Sequence, residues 1–326
     1  MRAQIIGTGS YVPEKVMTND DLAKIVDTSD EWITERTGIK ARHVAADGEN
    51  TSDMAVKASQ RALELAGVSP KEVDMIVLGT VTGDMPMPAT AAFVQAKLGA
   101  TNAFAFDVSA ACAGSVYAMA VAEKFIRTGA VKRALVIGAE LLTRIIDWQD
   151  RNTCVLFGDA AGAMVLAPTD DPDRGILSTH LYTEGAATDI LCIPGGGSKF
   201  PFSEAVLAEK LNKVKMNGRE VFKIAVRSLA SATETALRVN GLTPANVDHV
   251  IAHQANIRIL ESVLQRLEIP MDKAWLNIHK YGNTSSASLP ITLDEANRAG
   301  KLKQGEVLAM MAIGAGMSWG SAAVRW

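Results

Sequence analysis

Cysteine is scarce in this chain: three in 326 residues, Cys112, Cys154 and Cys192, irregularly spaced and with no C-x-x-C pair. That excludes a disulfide framework and a zinc or dithiol motif, and it fits a reducing compartment. An excess of basic charge is also missing. Lys+Arg 33 against Asp+Glu 36 leaves a net charge of −3, without the surplus that counterion release from nucleic acid requires. Long apolar runs are absent too. The most apolar segment, Ser109 to Ala122, is interrupted by Glu123 and Lys124 before the roughly 20 residues that cross a bilayer. The N-terminus, Met1 to Gly7, shows no secretory pattern. The expectation is a cytoplasmic protein with neither membrane nor nucleic acid as partner.

Nucleotide loops are missing as well. Gly7-Thr-Gly9 lacks the third glycine of a dinucleotide fingerprint, and no Gly-x-x-x-x-Gly-Lys-Ser/Thr occurs. Pro194-Gly-Gly-Gly-Ser198 has no strand leading into a helix around it, so it reads as a flexible excursion rather than a phosphate cradle.

What is present is material for a large core: 48% hydrophobic and 21% charged residues, enough for one large α/β unit or two domains of about 150 residues. Apolar runs predict strands at Met75–Leu78, Arg133–Ile137, Cys154–Phe157, Ala163–Leu166, His249–Ala252 and Val307–Met311. Longer Ala-rich stretches predict helices over Thr51–Leu65, Ser115–Thr128, Glu220–Val239 and Ile257–Leu267, the third opened by an Asn217/Glu220 capping box. Strands alternating with helices imply sheets covered on both faces.

The chain also repeats itself. Ala62-Leu-Glu-Leu-Ala-Gly-Val-Ser-Pro-Lys-Glu-Val-Asp74 aligns without a gap to Ala236-Leu-Arg-Val-Asn-Gly-Leu-Thr-Pro-Ala-Asn-Val-Asp248, an offset of 174. Gly158–Gly162 echoes Gly316–Gly320, as if each half closed in a Gly-punctuated hairpin. The seam falls in the polar stretch Thr169–Gly175, dividing the chain into 1–172 and 173–326. At the same offset Ser286 lies opposite Cys112, so one half would carry a nucleophile and the other its polar helpers.

Cys112 follows the strand-like Ala103–Val108 and precedes an Ala-rich helix. A sulfur at a helix N-terminus is biased toward thiolate; a small buried apolar residue is the other reading, and it is the one that fits Cys154 and Cys192. His253 ends a predicted strand, where α/β sheets place ligand chemistry. Asn283 lies in a turn-like segment and carries no signal by itself.

Taken together, Asp30–Ile39, Asp107-Val-Ser-Ala-Ala-Cys-Ala-Gly114, Phe157–Gly162, His253-Gln-Ala-Asn256, Gly282–Ala287 and Trp319–Arg325 resemble, in this order and over essentially the whole chain, the β-ketoacyl-acyl-carrier-protein synthases III. The resemblance implies an α/β thiolase fold: duplicated βαβαβαββ halves in a five-layer αβαβα arrangement, normally a homodimer. It implies a condensation of acyl-CoA with malonyl-acyl carrier protein that starts fatty-acid synthesis, with no metal or redox cofactor. An acyltransferase or ketosynthase of specialised metabolism on the same scaffold is the alternative.

Carried to matching positions, the resemblance makes Cys112 the nucleophile and His253 and Asn283 its partners. Backbone N–H groups of Cys112 and Ala315 form an oxyanion hole, Ala315 replacing a frequent glycine at a place where a positive φ would be strained. Trp32, Arg36, Arg151 and Asn256 bind CoA. Lys223, Arg227 and Arg258 dock the acidic carrier protein. Met87 and Phe157 belong to the acyl pocket, Met87 across the dimer interface, and a Met of intermediate length there fits acetyl or another short primer.

Overall fold

The computed structural model describes residues 1–326. The first half runs through β1 (Arg2–Tyr11), β2 (Lys15–Thr18), α1 (Asn19–Ala23), α2 (Asp30–Thr37), β3 (Ala41–Val44), α3 (Thr51–Ala66), β4 (Met75–Gly79), α4 (Thr90–Leu98), β5 (Phe104–Val108), α5 (Gly114–Arg127), β6 (Ala134–Glu140) and β7 (Ala160–Thr169). The second runs through β8 (Gly175–Thr183), β9 (Leu191–Cys192), α6 (Glu204–Ala208), β10 (Lys215–Met216), α7 (Gly218–Arg238), β11 (His249–Ala252), α8 (Ile257–Leu267), α9 (Ile278–Tyr281), α10 (Ser288–Arg298), β12 (Val307–Gly314) and β13 (Ser318–Arg325).

Two sheets carry the architecture, in the orders β1-β7-β6-β4-β5 and β8-β13-β12-β11. They are the same topology, and a lone parallel bridge from Val250 to Ala274 stands where the second sheet's fifth strand would be. One core joins the facing sides of both sheets around α5 and α10, with Met119, Ile126, Leu289 and Leu293 between Val136 and Met310. A second core packs α3 and α4 on the outer face of the first sheet, and a third packs α7 and α8 outside the second. Helix, sheet, helix, sheet, helix: these are the five layers of the thiolase fold.

The repeated segment explains itself physically. Gly67 and Gly241 both end their helices at positive φ, 63° and 67°, the conformation a C-terminal glycine adopts at least cost. Pro70 and Pro244 then open short turns, and an aspartate pins the next strand. Asp74 Oδ2 accepts from Arg133 N–H (2.9 Å) while Asp74 N–H donates to Arg133 O (2.9 Å). Asp248 Oδ2 accepts from Val307 N–H (2.8 Å) while Asp248 N–H donates to Val307 O (2.9 Å).

Three local expectations are corrected. Cys154–Phe157 is not a strand: Cys154 N–H donates to Asp150 O and Leu156 N–H to Thr153 O, a folded turn whose apolar side chains are buried in a separate cluster with Ile33 and Ile146. A short apolar run without period reports burial, not extension. The capping box at α7 is half made, since Asn217 accepts from Glu220 N–H (3.3 Å) but the Glu220 carboxylate pairs with Lys223 (2.7 Å). Only β12 and β13 form a tight hairpin; residues 141–159 intervene between β6 and β7. No helix is long and apolar enough to cross a membrane.

Candidate active site

Cys112 sits in the tight turn Ala111–Ala113 between β5 and α5, where Ala111 takes a φ of 46°. The β12–β13 hairpin presses on it from the other half. A Cβ on Gly314 would lie 2.4 Å from the Cys112 nitrogen, so only glycine lets the hairpin approach this backbone. Ala315 follows without a positive φ, because Gly316 absorbs the turn at 134°; alanine is accommodated there unstrained.

His253 is fixed at the end of β11 by its N–H donating to Met311 O (2.8 Å). Its ring is 6% exposed, and neither nitrogen has a well-formed hydrogen bond in the protein, the Ser285 backbone making only a loose polar contact with it. Burial pushes its pKa down to about 4, so the imidazole is neutral near pH 7, with one donor and one acceptor nitrogen open to a ligand. Asn283 is pinned through its backbone: its N–H donates to Leu156 O (2.8 Å), and its carbonyl accepts from Gly158 N–H (3.1 Å). Its Oδ1 accepts from Ser285 N–H (2.9 Å), which points the amide NH2 outward as a free donor.

Burial pushes the Cys112 thiol up to about 12, opposed by a hydrogen bond with Ser285 and reinforced by the charge of Glu140. Burial thus opposes the thiolate bias expected of a helix N-terminus. A neutral thiol faces a neutral imidazole.

Two cavities meet at the sulfur. One, of about 110 Å³, is lined by Cys112, His253, Asn283, Phe157, Asn256 and Phe222 among others. The other, of about 230 Å³, is almost wholly apolar, with Val81, Leu142, Ile145, Phe157, Cys192, Val214 and Ala315 around Cys112 and Ser285. Met87 lines neither; it is 83% exposed on the surface of its own chain. A further hollow of about 740 Å³ between Tyr11, Lys15 and Lys57 is separate from this chemistry, and its Lys57 is already paired with Glu49 (2.8 Å).

Outside the mouth, the Arg151 and Arg36 guanidinium carbons lie 5.0 and 4.6 Å from the Trp32 ring centroid, in the range of cation–π contacts. A basic hollow of about 370 Å³ collects Arg36, Arg219, Lys223, Arg258, Phe222 and Asn256. Arg227 does not reach it. Arg219 does, and the sequence reading missed it although it precedes Lys223 by one helical turn. Asn256 is spent structurally: its Oδ1 caps α8 at Arg258 N–H (2.9 Å) and its Nδ2 donates to Arg36 O (2.9 Å). These bonds fix its amide at the mouth of both the catalytic cavity and the basic hollow, with a second Nδ2 hydrogen left to donate.

Comparison with known proteins agrees with this fold. Residues 106–185 match the family model for 3-oxoacyl-[acyl-carrier-protein] synthase III, and residues 237–326 match its C-terminal counterpart. The chain is 51% identical over 324 residues to a β-ketoacyl-[acyl-carrier-protein] synthase III of Caldanaerobacter subterraneus, covering 99% of this chain and 98% of the relative. The crystal structure of 3-oxoacyl-[acyl-carrier-protein] synthase III from Aquifex aeolicus superposes with a TM-score of 0.92 at 46% identity, covering 99% and 100% of the two chains. The priming β-ketosynthase of the R1128 polyketide pathway gives 0.92 at 35%, covering 99% and 96%. On identity, coverage and fold, the chain belongs to the β-ketoacyl-[acyl-carrier-protein] synthase III family.

Proposed function

We infer that this enzyme starts fatty-acid synthesis by condensing a short acyl-CoA, acetyl-CoA foremost, with malonyl-acyl carrier protein. The observation that carries the assignment of roles is the convergence of Cys112, His253 and Asn283, from both halves, on one cavity. The Cys112 sulfur attacks the acyl-CoA carbonyl, forming a thioester while the CoA sulfur leaves and takes up a proton. N–H groups of Cys112 and Ala315 face the oxyanion. Malonyl-acyl carrier protein then loses carbon dioxide. The enolate is held by donors from His253 and Asn283 and attacks the acyl carbonyl, and Cys112 departs as thiolate to be reprotonated. Thioester exchange, decarboxylation and condensation change no oxidation state, and thiol, imidazole and amide carry their bond changes, so the chemistry calls for no metal or redox group.

The apolar cavity is the acyl site, with Phe157 in its wall. At roughly 30 Å³ for each group the size of a water molecule, its volume holds a short chain. Trp32, Arg36 and Arg151 meet the CoA nucleotide, and Arg219, Lys223 and Arg258 meet the carrier protein, with Arg227 at the margin. Met87 reaches a second copy: it stands with Val81, Met85, Phe104 and Phe125 as exposed apolar side chains near the unpaired edge strand β5, a surface suited to a homodimer. A cytoplasmic location fits the substrates.

Intact mass after mixing wild type and Cys112→Ala with acetyl-, branched short-chain and long-chain acyl-CoA tests the reading. An acyl adduct on wild type alone, discharged by malonyl-acyl carrier protein as a ketoacyl product, is the expected result. An adduct that malonyl-acyl carrier protein cannot discharge would instead identify a specialised acyltransferase.

A further inference from the structure

Glu140, at the end of β6, is fully buried, and no lysine, arginine or histidine pairs with it. A carboxylate held this way depends on hydrogen bonds alone, and its two oxygens are treated differently. Oε2 accepts from Val81 N–H (3.1 Å) and the hydroxyls of Thr82 (2.5 Å) and Thr80 (3.3 Å). Oε1 meets only the hydroxyls of Ser285 (3.1 Å) and Ser286 (3.3 Å). An N–H can only donate, whereas a hydroxyl can donate or accept. Oε2 is thus built for a charged oxygen, and Oε1 for an oxygen that gains and loses a proton.

Ser286 sharpens the distinction. Its single hydroxyl proton is directed to Gly79 O at 2.7 Å, an acceptor with nothing to give back. The same hydroxyl reaches Glu140 Oε1 only as a second, longer contact of 3.3 Å, so Oε1 is the less firmly held of the two oxygens. Ser285 stands on the other side: its hydroxyl donates to Glu140 Oε1 (3.1 Å), it lines the acyl cavity together with Cys112, and its hydrogen-bonding capacity favours the thiolate there. The half-buried Asp107 and the buried Asp159 lack such a path: Asp107 accepts from the N–H groups of Thr90 and Ala91, and Asp159 from the N–H groups of Ala45 and Thr143 and the Thr143 hydroxyl.

We propose that Glu140 exchanges a proton with the Cys112 thiol through the Ser285 hydroxyl, as a positioning and relay residue for acylation. The inference rests on Cys112 being the nucleophile. As the sulfur bonds to the acyl carbon and the carbon–sulfur bond to CoA breaks, the thiol proton passes to Ser285 Oγ and the Ser285 proton to Glu140 Oε1, turning carboxylate into acid. The departing CoA thiolate takes a proton from solvent. When condensation releases the Cys112 thiolate, the same path returns the proton and restores the carboxylate, so charge balances over the cycle.

The groups around this carboxylate are Thr80, Val81 and Thr82 after β4, Ser285 and Ser286 in the turn before α10, and Cys112 in the turn before α5. Cys112 is the one titratable group among them, with His253 on the other side of the sulfur. Burial raises the Glu140 pKa to about 7, against hydrogen bonds from Thr82, Val81, Ser285 and Thr80. His253, pushed down to about 4, does not titrate in the same range.

Rapid-quench intact mass with acetyl-CoA, from pH 6 to 8.5, tests the relay. In wild type the rate of adduct formation on Cys112 should rise through about pH 7 and level off. In Glu140→Gln and in Ser285→Ala it should fall roughly 10²-fold at pH 8, and the rise should be lost. Alanine is tolerated at position 285 because Ala111 already adopts the same backbone, φ 46° against 50°; this variant decides the matter if Glu140→Gln does not fold. Slower variants that keep the wild-type pH profile would reduce Glu140 to a structural clamp and overturn the relay, leaving the nucleophile intact. Absence of any Cys112 adduct in wild type would overturn both.

Discussion

Cys112 and Ser286 occupy the same place in two copies of one turn. Ala111–Ala113 and Ser285–Ala287 each open with a residue at positive φ and lead directly into α5 or α10. The copies have diverged in direction of use: the Cys112 sulfur faces the cavities, while Ser286 is fully buried and donates to Gly79 O. Packing two such turns back to back demands missing side chains around them.

Gly138 is the tightest of these positions. A Cβ there would lie 2.1 Å from Ser286 O, a backbone atom that cannot step aside. Gly138→Ala should cost about 3 kcal/mol, the upper end for overpacking, read as a lowered denaturation midpoint with an unchanged m-value. Gly185→Ala, whose Cβ meets nothing within 4 Å, should stay within about 0.5 kcal/mol of wild type.

Trp32 and Arg151 are too close to admit a base between them. An intercalated ring needs about 3.5 Å on each face, about 7 Å in all, and the guanidinium lies 5.0 Å from the indole centroid. Arg151 must therefore swing away, giving up its bond to Asp27 O (3.0 Å). Trp32→Ala should raise KM for acyl-CoA by about 5-fold or more, since stacking on an aromatic contributes about 1–3 kcal/mol, with kcat little changed. Arg151→Ala should raise it less, because the wild type first loses the Asp27 contact. Steady-state kinetics with acetyl-CoA and with acetyl-pantetheine, which lacks the base, separate the nucleotide term from the rest.

How much of this was legible beforehand follows from range. Gly67/Gly241 and Asp74/Asp248 act within a helix end and the strand after it, so the repeat could be read from residue types alone. His253 and Asn283 carried little signal singly, because their convergence on Cys112 is made by β11 pairing with β12 and by Asn283 bonding Leu156, contacts between distant segments. Cys154–Phe157 misled because a buried turn and a buried strand share the same apolar composition. Glu140 was invisible for the opposite reason: a carboxylate at a strand end reads as exposed until both halves close over it.

Cys192 lines the acyl cavity beside Cys112 and is partly exposed. Replacing its small side chain with a ring subtracts volume from the cavity without touching Cys112, His253 or Asn283. Cys192→Phe should keep acetyl transfer within a few-fold and lower kcat/KM for a six-carbon acyl-CoA by at least 10-fold, the scale expected when one or two methylenes lose their place. Equal losses for both primers would remove Cys192 from the acyl site.

Burial of neutral His253 also couples stability to pH. Its folded pKa of about 4 lies below the ordinary histidine value of 6.5, so the unfolded chain binds this proton first. Stability from this group is complete above about pH 6.5 and is lost as pH falls toward 4. At about 1.4 kcal/mol for each unit of pH in that window, roughly 2 kcal/mol is gone by pH 5. His180 and His279 are also lowered by burial, but they are present in both proteins when wild type is compared with His253→Asn. Urea titrations at pH 7.5 and pH 5 should therefore show the wild type losing about 2 kcal/mol more than the variant over that interval. An equal loss would mean that His253 is protonated in the folded enzyme at pH 5, so that its ring would hold the malonyl oxygen as a cation there.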